Sequence, residues 1–100
     1  FGPAEEDARP VQWLVERLAA AWQAGGAAAH WRLDPQPQPH EAHYLKLDCA
    51  KARSQLGWQP RWPLDETIRR IVTWHQAHAA GADMRDQSLG ELTDYENQSL

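Results

Sequence analysis

The chain has one cysteine, Cys49, so no disulfide can close within it. No apolar run approaches the ~20 residues a membrane-spanning helix needs. Its ten lysines and arginines are spread along the chain and outnumbered by fourteen acidic residues, for a formal charge of −4. No basic stripe is left to neutralise phosphates, which argues against nucleic acid, and nothing invites an anionic membrane surface. The opening FGPAEEDARP has no methionine, no positively charged start and no apolar signal core. It reads as neither a native start nor a secretion signal, and the expectation is a piece of a longer polypeptide in a cytoplasmic setting.

Familiar chemical signatures are missing too. There is no G-x-G-x-x-G, no G-x-x-x-x-G-K-[ST], no G-x-S-x-G and no C-x-x-C. Gly25-Gly26 precedes alanines rather than following a strand, which suits a helix stop better than a phosphate cradle. Internal repeats and a second domain boundary are also absent.

What is present suits one small domain. A chain of 100 residues can bury ~60–65% of the surface it exposes when unfolded, and 42% hydrophobic with 24% charged residues is a globular composition. The six tryptophans are the unusual feature. Core and interface packing is their ordinary use, and stacking on a ligand ring is the other.

Val11, Leu14, Val15, Leu18 and Trp22 repeat at helical spacing and predict a helix over 10–24, closed by Gly25-Gly26. Trp13 lies off that stripe. HWRLD (30–34) and HYLKL (43–47) read as short strands, separated by the stiff connector PQPQP. Asp48 is placed to cap a short helix containing Lys51, Ala52, Arg53 and Leu56 and ended by Gly57. Leu64, Ile68, Ile71, Val72 and His75 form one face of a strong helix that Gly81 ends. Ser88 and Glu91 form a capping-box pattern expected to start a last helix through Tyr95. Arg69 and Arg70 read as a solvated face, and His75 and His78 as half-buried histidines or part of a partner surface.

PHEAHYLKLD, residues 39–48, concentrates the chemistry. A zincin needs H-E-x-x-H, which brings two imidazoles to one helical face, whereas His40 and His43 are three apart after a proline. On extended backbone they point to opposite sides, so no metal is expected. Acid/base work by Glu41 with a histidine requires a perturbed pKa and a held substrate, which no spacing certifies. Ligand contact is the reading that fits best, with imidazole, carboxylate and phenol as donors and acceptors. Cys49 beside Asp48 reads as a small packing residue.

FGP, PVQWLVERL, PHEAHYLKLDCAKARSQLGWQPRWPL, TWHQA and GADMRDQSL, in this order and spacing, closely resemble the C-terminal segment of the CDP-glucose 4,6-dehydratases, a family of NAD-dependent extended short-chain dehydrogenase/reductases. LGWQP is shared by many nucleotide-sugar epimerases and dehydratases; PHEAHYLKLDCAKA singles out this family. The resemblance implies an α/β fold in which residues 1–100 are a small mixed substrate-binding lobe of three to four helices with short strands. A larger N-terminal Rossmann domain, absent here, would hold NAD and supply the catalytic Tyr-x-x-x-Lys. The implied reaction converts CDP-glucose to CDP-4-keto-6-deoxyglucose, and the implied partners are that nucleotide sugar, the chain's own N-terminal domain and further copies in a homo-oligomer.

Tyr44 and Tyr95 are followed four residues later by Asp48 and Ser99, not lysine, so no catalytic or cofactor-binding residue is expected in this chain. The candidate substrate contacts are His40, Glu41, His43 and Tyr44. Many relatives carry Arg-Pro before the strand, the arginine reaching the diphosphate; Gln38-Pro39 stands there instead, and a neutral amide cannot replace that charge. Trp58 and Trp62 read as rigid packing, Trp13 and Trp74 as contacts with the absent lobe. Two rivals remain open: a lobe of another nucleotide-sugar dehydratase or epimerase, and a non-catalytic interaction module.

Overall fold

Pro10 begins the first helix without an N–H to waste, and the apolar repeat behind it carries α1 from Val11 to Ala24. Gly25 closes it, and Gly26, at φ 91°, turns the chain away. The computed structural model describes residues 1–39 and 46–98. Three more helices follow: α2 (Ala50–Leu56), α3 (Leu64–Ala79) and α4 (Met84–Asn97), with a single 3₁₀ turn at Glu5–Asp7 ahead of them all.

α3 is the axis. It packs against α1 on one side and α4 on the other, and it alone among the helices holds buried residues, Ile68 and Val72. Cys49 is the third buried residue among those described. The outcome is an open slab, 43 × 40 × 20 Å, with a radius of gyration of 16.4 Å; a compact chain of this length reaches about 13 Å. Large apolar side chains stay at the surface, Ile71 at 45% exposure and Trp31 at 42% among them.

Polar ties hold this thin layer together. Pro63 begins α3 without a side-chain cap, and Asp7 supplies one from far along the chain: its Oδ2 accepts the N–H of Leu64, 57 residues later, at 3.1 Å. Arg61 does the converse for α4, donating through Nη1 to two carbonyls of its last turn, Tyr95 (3.0 Å), which also takes the Gln98 N–H, and Glu96 (2.7 Å). Between α3 and α4, Trp62 meets Tyr95 edge-on at 5.0 Å and the Arg70 guanidinium lies 4.7 Å from the Trp62 ring. Trp74 Nε1 donates to Ser88 Oγ at 3.0 Å.

Three expectations are corrected. Among the described residues the fold is helical, with no strand: 30–34 form none, and of 43–47 only Lys46 and Leu47 are described, in irregular backbone. A strand is defined by its ladder, and no neighbouring strand offers one here. α4 starts at Met84, not Ser88, because Asp83 directly after the Gly81-Ala82 turn accepts from the Arg85 (3.0 Å) and Asp86 (3.1 Å) N–H groups; Ser88 lies inside the helix, occupied with Trp74. Arg70 is no simple solvated residue: it reaches Glu66 at 2.7 Å and Asp94 on α4.

Candidate functional site

His40, Glu41, His43 and Tyr44, the candidate ligand contacts, lie outside the described residues. Their two flanks are described, and they differ. On the entry side the prolines of DPQPQP remove donors, and Asp34 takes over the organisation: Oδ1 accepts the Gln36 N–H at 2.9 Å and Oδ2 accepts Gln38 Nε2 at 2.8 Å. Every residue from His30 to Pro39 is exposed.

On the exit side the chain is clamped by its own N-terminus. Glu5 pairs with Lys46 at 3.3 Å. Gly2 passes so close above that a Cβ there would stand 2.8 Å from Leu47 Cδ1 and 3.4 Å from Cys49 Sγ, so a side chain at this position would force the strap away. Asp48 Oδ1 accepts the Ala50 N–H at 2.9 Å, one residue ahead of the true N-cap Cys49, and so starts α2. Gly57 ends α2 at φ 63°, and the Trp58 N–H returns to the Ala52 carbonyl at 3.2 Å. Trp58 then stacks edge-on with Phe1 at 4.9 Å. Pro3, Glu5, Lys46, Asp48, Cys49 and Arg53 line a polar cleft of about 320 Å³ directly after the candidate stretch. Two carboxylates and two cations balance there, so the cleft offers polar contacts without a net field.

The opposite character appears between α1 and α3. Val15, Leu18, Trp22, Trp31, Ile71 and Val72 line an apolar groove of about 270 Å³, with His30 and His75 beside it. Gln76 closes the end of α1 by donating Nε2 to the Trp22 carbonyl at 3.3 Å.

Cys49 is buried and free, as a packing residue should be. Trp58 and Trp62 are half-buried and held by rings, as expected of rigid packing. Trp74 spends its N–H within the chain rather than on an outside partner, and stacks with His78 at 6.0 Å and edge-on with His75 at 5.1 Å. Both histidines are exposed, not half-buried. Trp13 is flanked by Arg9 and Arg17, whose guanidinium carbons lie 5.2 and 5.0 Å from its ring. Asp7 and Asp34 belong to no motif, because they act at a distance or across prolines; the single signal in the sequence is a carboxylate where a helix or turn lacks its own cap. Among the described residues no cluster of metal-ligating side chains forms, and no helix is long and apolar enough to cross a membrane.

Among the described residues the strongest electrostatic perturbation is at Glu66 on α3. Hydrogen bonds from Arg69 and then Arg70 hold the Glu66 carboxyl down at about 2 from an ordinary 4.5, and both guanidiniums are raised in turn, Arg70 by Asp94 first. This is a structural ion-pair network joining α3 to α4, not a proton-transfer site.

No protein-family model matches the chain. Among curated proteins, it is 53% identical over 95% of its length to the CDP-glucose 4,6-dehydratase of Salmonella typhimurium, in the C-terminal part of that relative. It is also 43% identical over 35 residues to the GDP-mannose 4,6 dehydratase of Homo sapiens, and 39% identical over 36 residues to the dTDP-glucose 4,6-dehydratase of Haemophilus influenzae. The chain spans about a quarter (26%) of the first relative and about a tenth of the others (9% and 10%).

Proposed function

We propose that these residues form the substrate-side lobe of an NAD-dependent 4,6-dehydratase acting on CDP-glucose, with His40, Glu41, His43 and Tyr44 as wall against the nucleotide sugar. The observation carrying this reading is identity of 53% across 95% of the chain with a dehydratase of that substrate, against local similarity to the GDP- and dTDP-sugar enzymes. The flanks support a wall: one side is clamped by the N-terminal strap, the other braced by Asp34, and a polar cleft adjoins it.

A 4,6-dehydration oxidises C4 of the sugar, removes water across C5 and C6, and returns the hydride to C6. In the proposed enzyme NAD would supply the acceptor and donor for that hydride, and it would be held outside this lobe. Gly25-Gly26 follows a helix instead of a strand, and the space above Gly25 is filled by Gln76, whose Nε2 would lie 2.3 Å from a Cβ there. The lobe's own work is to bind and orient the sugar nucleotide and exclude water while residues of an N-terminal Rossmann domain react. The groove of Leu18, Trp22, Trp31 and Ile71 is the natural contact for that domain, an apolar face that the thin slab leaves uncovered. A cytoplasmic location belongs to the same reading.

The second reading, a dehydratase or epimerase of another nucleotide sugar, is favoured by Gln38, which presents no cation to a diphosphate. A panel of CDP-, UDP-, GDP- and dTDP-sugars offered to the full-length protein decides between them, with the 4-keto product read by its absorbance in alkali. Product from CDP-glucose supports the proposal. Product from another sugar alone moves the assignment, and product from none favours a non-catalytic interaction module.

A further inference from the structure

The DPQPQP segment presents one side chain in a forced orientation. Pro35, Pro37 and Pro39 have no N–H. Gln38 Nε2 donates to Asp34 Oδ2 at 2.8 Å and to the Gln36 carbonyl at 3.3 Å. A carboxylate only accepts, so the amide nitrogen must face Asp34, and a primary amide has two protons to give. Both are engaged. Gln38 Oε1 has no donor among the described residues and the side chain is exposed, two positions ahead of His40.

We infer that Gln38 meets the ligand as a hydrogen-bond acceptor aimed by Asp34, and therefore receives a hydroxyl or amino group of the nucleotide sugar, not its diphosphate. This rests on the reading of residues 39–48 as pocket wall. A phosphate oxygen approaching Oε1 would set lone pair against lone pair, with the Asp34 charge close behind. A sugar hydroxyl or the exocyclic amine of cytosine supplies the proton that Oε1 lacks.

The test is steady-state kinetics on the full-length enzyme with whichever nucleotide sugar the wild type turns over, so that an error in the CDP-glucose assignment is seen in the wild type before any variant is made. Gln38→Met removes the acceptor at similar volume and is expected to raise KM about fivefold with kcat unchanged, the worth of one ordinary hydrogen bond. Asp34→Asn places an amide against the Gln38 amide; Gln38 then turns its carbonyl inward and its NH₂ outward, and KM rises to a similar degree. Because both substitutions abolish one acceptor, the double variant is expected to be no worse than Gln38→Met alone. Competition by CDP locates the donor: a raised Ki in Gln38→Met places it on the cytidine, an unchanged Ki on a hydroxyl of the hexose. An unchanged KM in Gln38→Met, fully additive effects in the double variant, or a lowered KM in Gln38→Arg would each overturn the inference.

Discussion

Residues 57–98 and residues 27–39 are both rich in polar side chains, yet their hydrogen bonds differ in reach. In the first region Arg61 crosses 34 and 35 residues to the end of α4, Arg70 crosses 24 to Asp94, and Trp74 crosses 14 to Ser88. In the second, Asp34 reaches two and four residues, and Gln38 two. Long ties fix how helices lie on one another, whereas short ties fix the shape of a single stretch whatever lies around it. The contrast sets a region that fixes architecture against one whose proposed role is presentation to a ligand, and substitutions can pull the two roles apart.

The largest effect is expected where the layer is unfinished. Ile71→Glu in the groove beside α1 should cost about 3 kcal/mol or more in the full-length protein, because a covered groove would bury an unpaired carboxylate. In the hundred residues alone, where Ile71 is 45% exposed, the same change should cost under about 0.5 kcal/mol, as surface changes do. Urea unfolding of both proteins measures the difference; equal costs would mean that nothing covers the groove.

Trp62→Ala removes the Tyr95 and Arg70 contacts together and is expected to lose about 2–3 kcal/mol, the low end for a tryptophan truncation because the ring is half-buried. KM should stay within about twofold, less than one ordinary hydrogen bond is worth. The mirror image is His40→Ala, expected to raise KM about tenfold, some 1.4 kcal/mol, with stability unchanged on thermal unfolding. If Trp62→Ala altered KM as strongly as His40→Ala, the division between the two regions would fail.

The smallest effect concerns pH. Glu66 has a folded pKa of about 2, depressed from 4.5, so its contribution is present above pH ~4.5 and is lost as pH falls through about 2. Arg69 and Asp94 are more than half exposed, and screening limits the contribution to about 1 kcal/mol. Glu66→Gln should flatten the stability profile between those limits and weaken under added salt less than the wild type does; an unchanged acid limb would mean that the Glu66 pairs with Arg69 and Arg70 along α3 contribute nothing.

The helices were legible because their signals are local. The spacing of Leu64, Ile68, Ile71 and Val72 repeats with the turn of a helix, and Gly25-Gly26, Gly57 and Gly81 mark ends that the fold respects. The strand expected at 30–34 was not, since alternation describes a strand only when another strand lies beside it. Ser88 and Glu91 had the letters of a capping box, but Asp83 stood nearer a glycine turn and took the role. Asp7 capping α3 and Arg70 bridging to Asp94 depend on approaches that no spacing encodes. At the candidate stretch the residue types in PHEAHYLKLD could be read directly. The Asp34–Gln38 bond could not, because in a proline-rich segment a four-residue separation has no fixed geometry.

Turnover of CDP-glucose by the full-length protein and by these hundred residues alone, each with NAD supplied, separates a substrate-side lobe from a self-sufficient catalyst. The full-length protein is expected to give 4-keto product and the isolated chain none. Product from the hundred residues by themselves would show that the reacting groups lie within them, contrary to the division of labour proposed for this lobe.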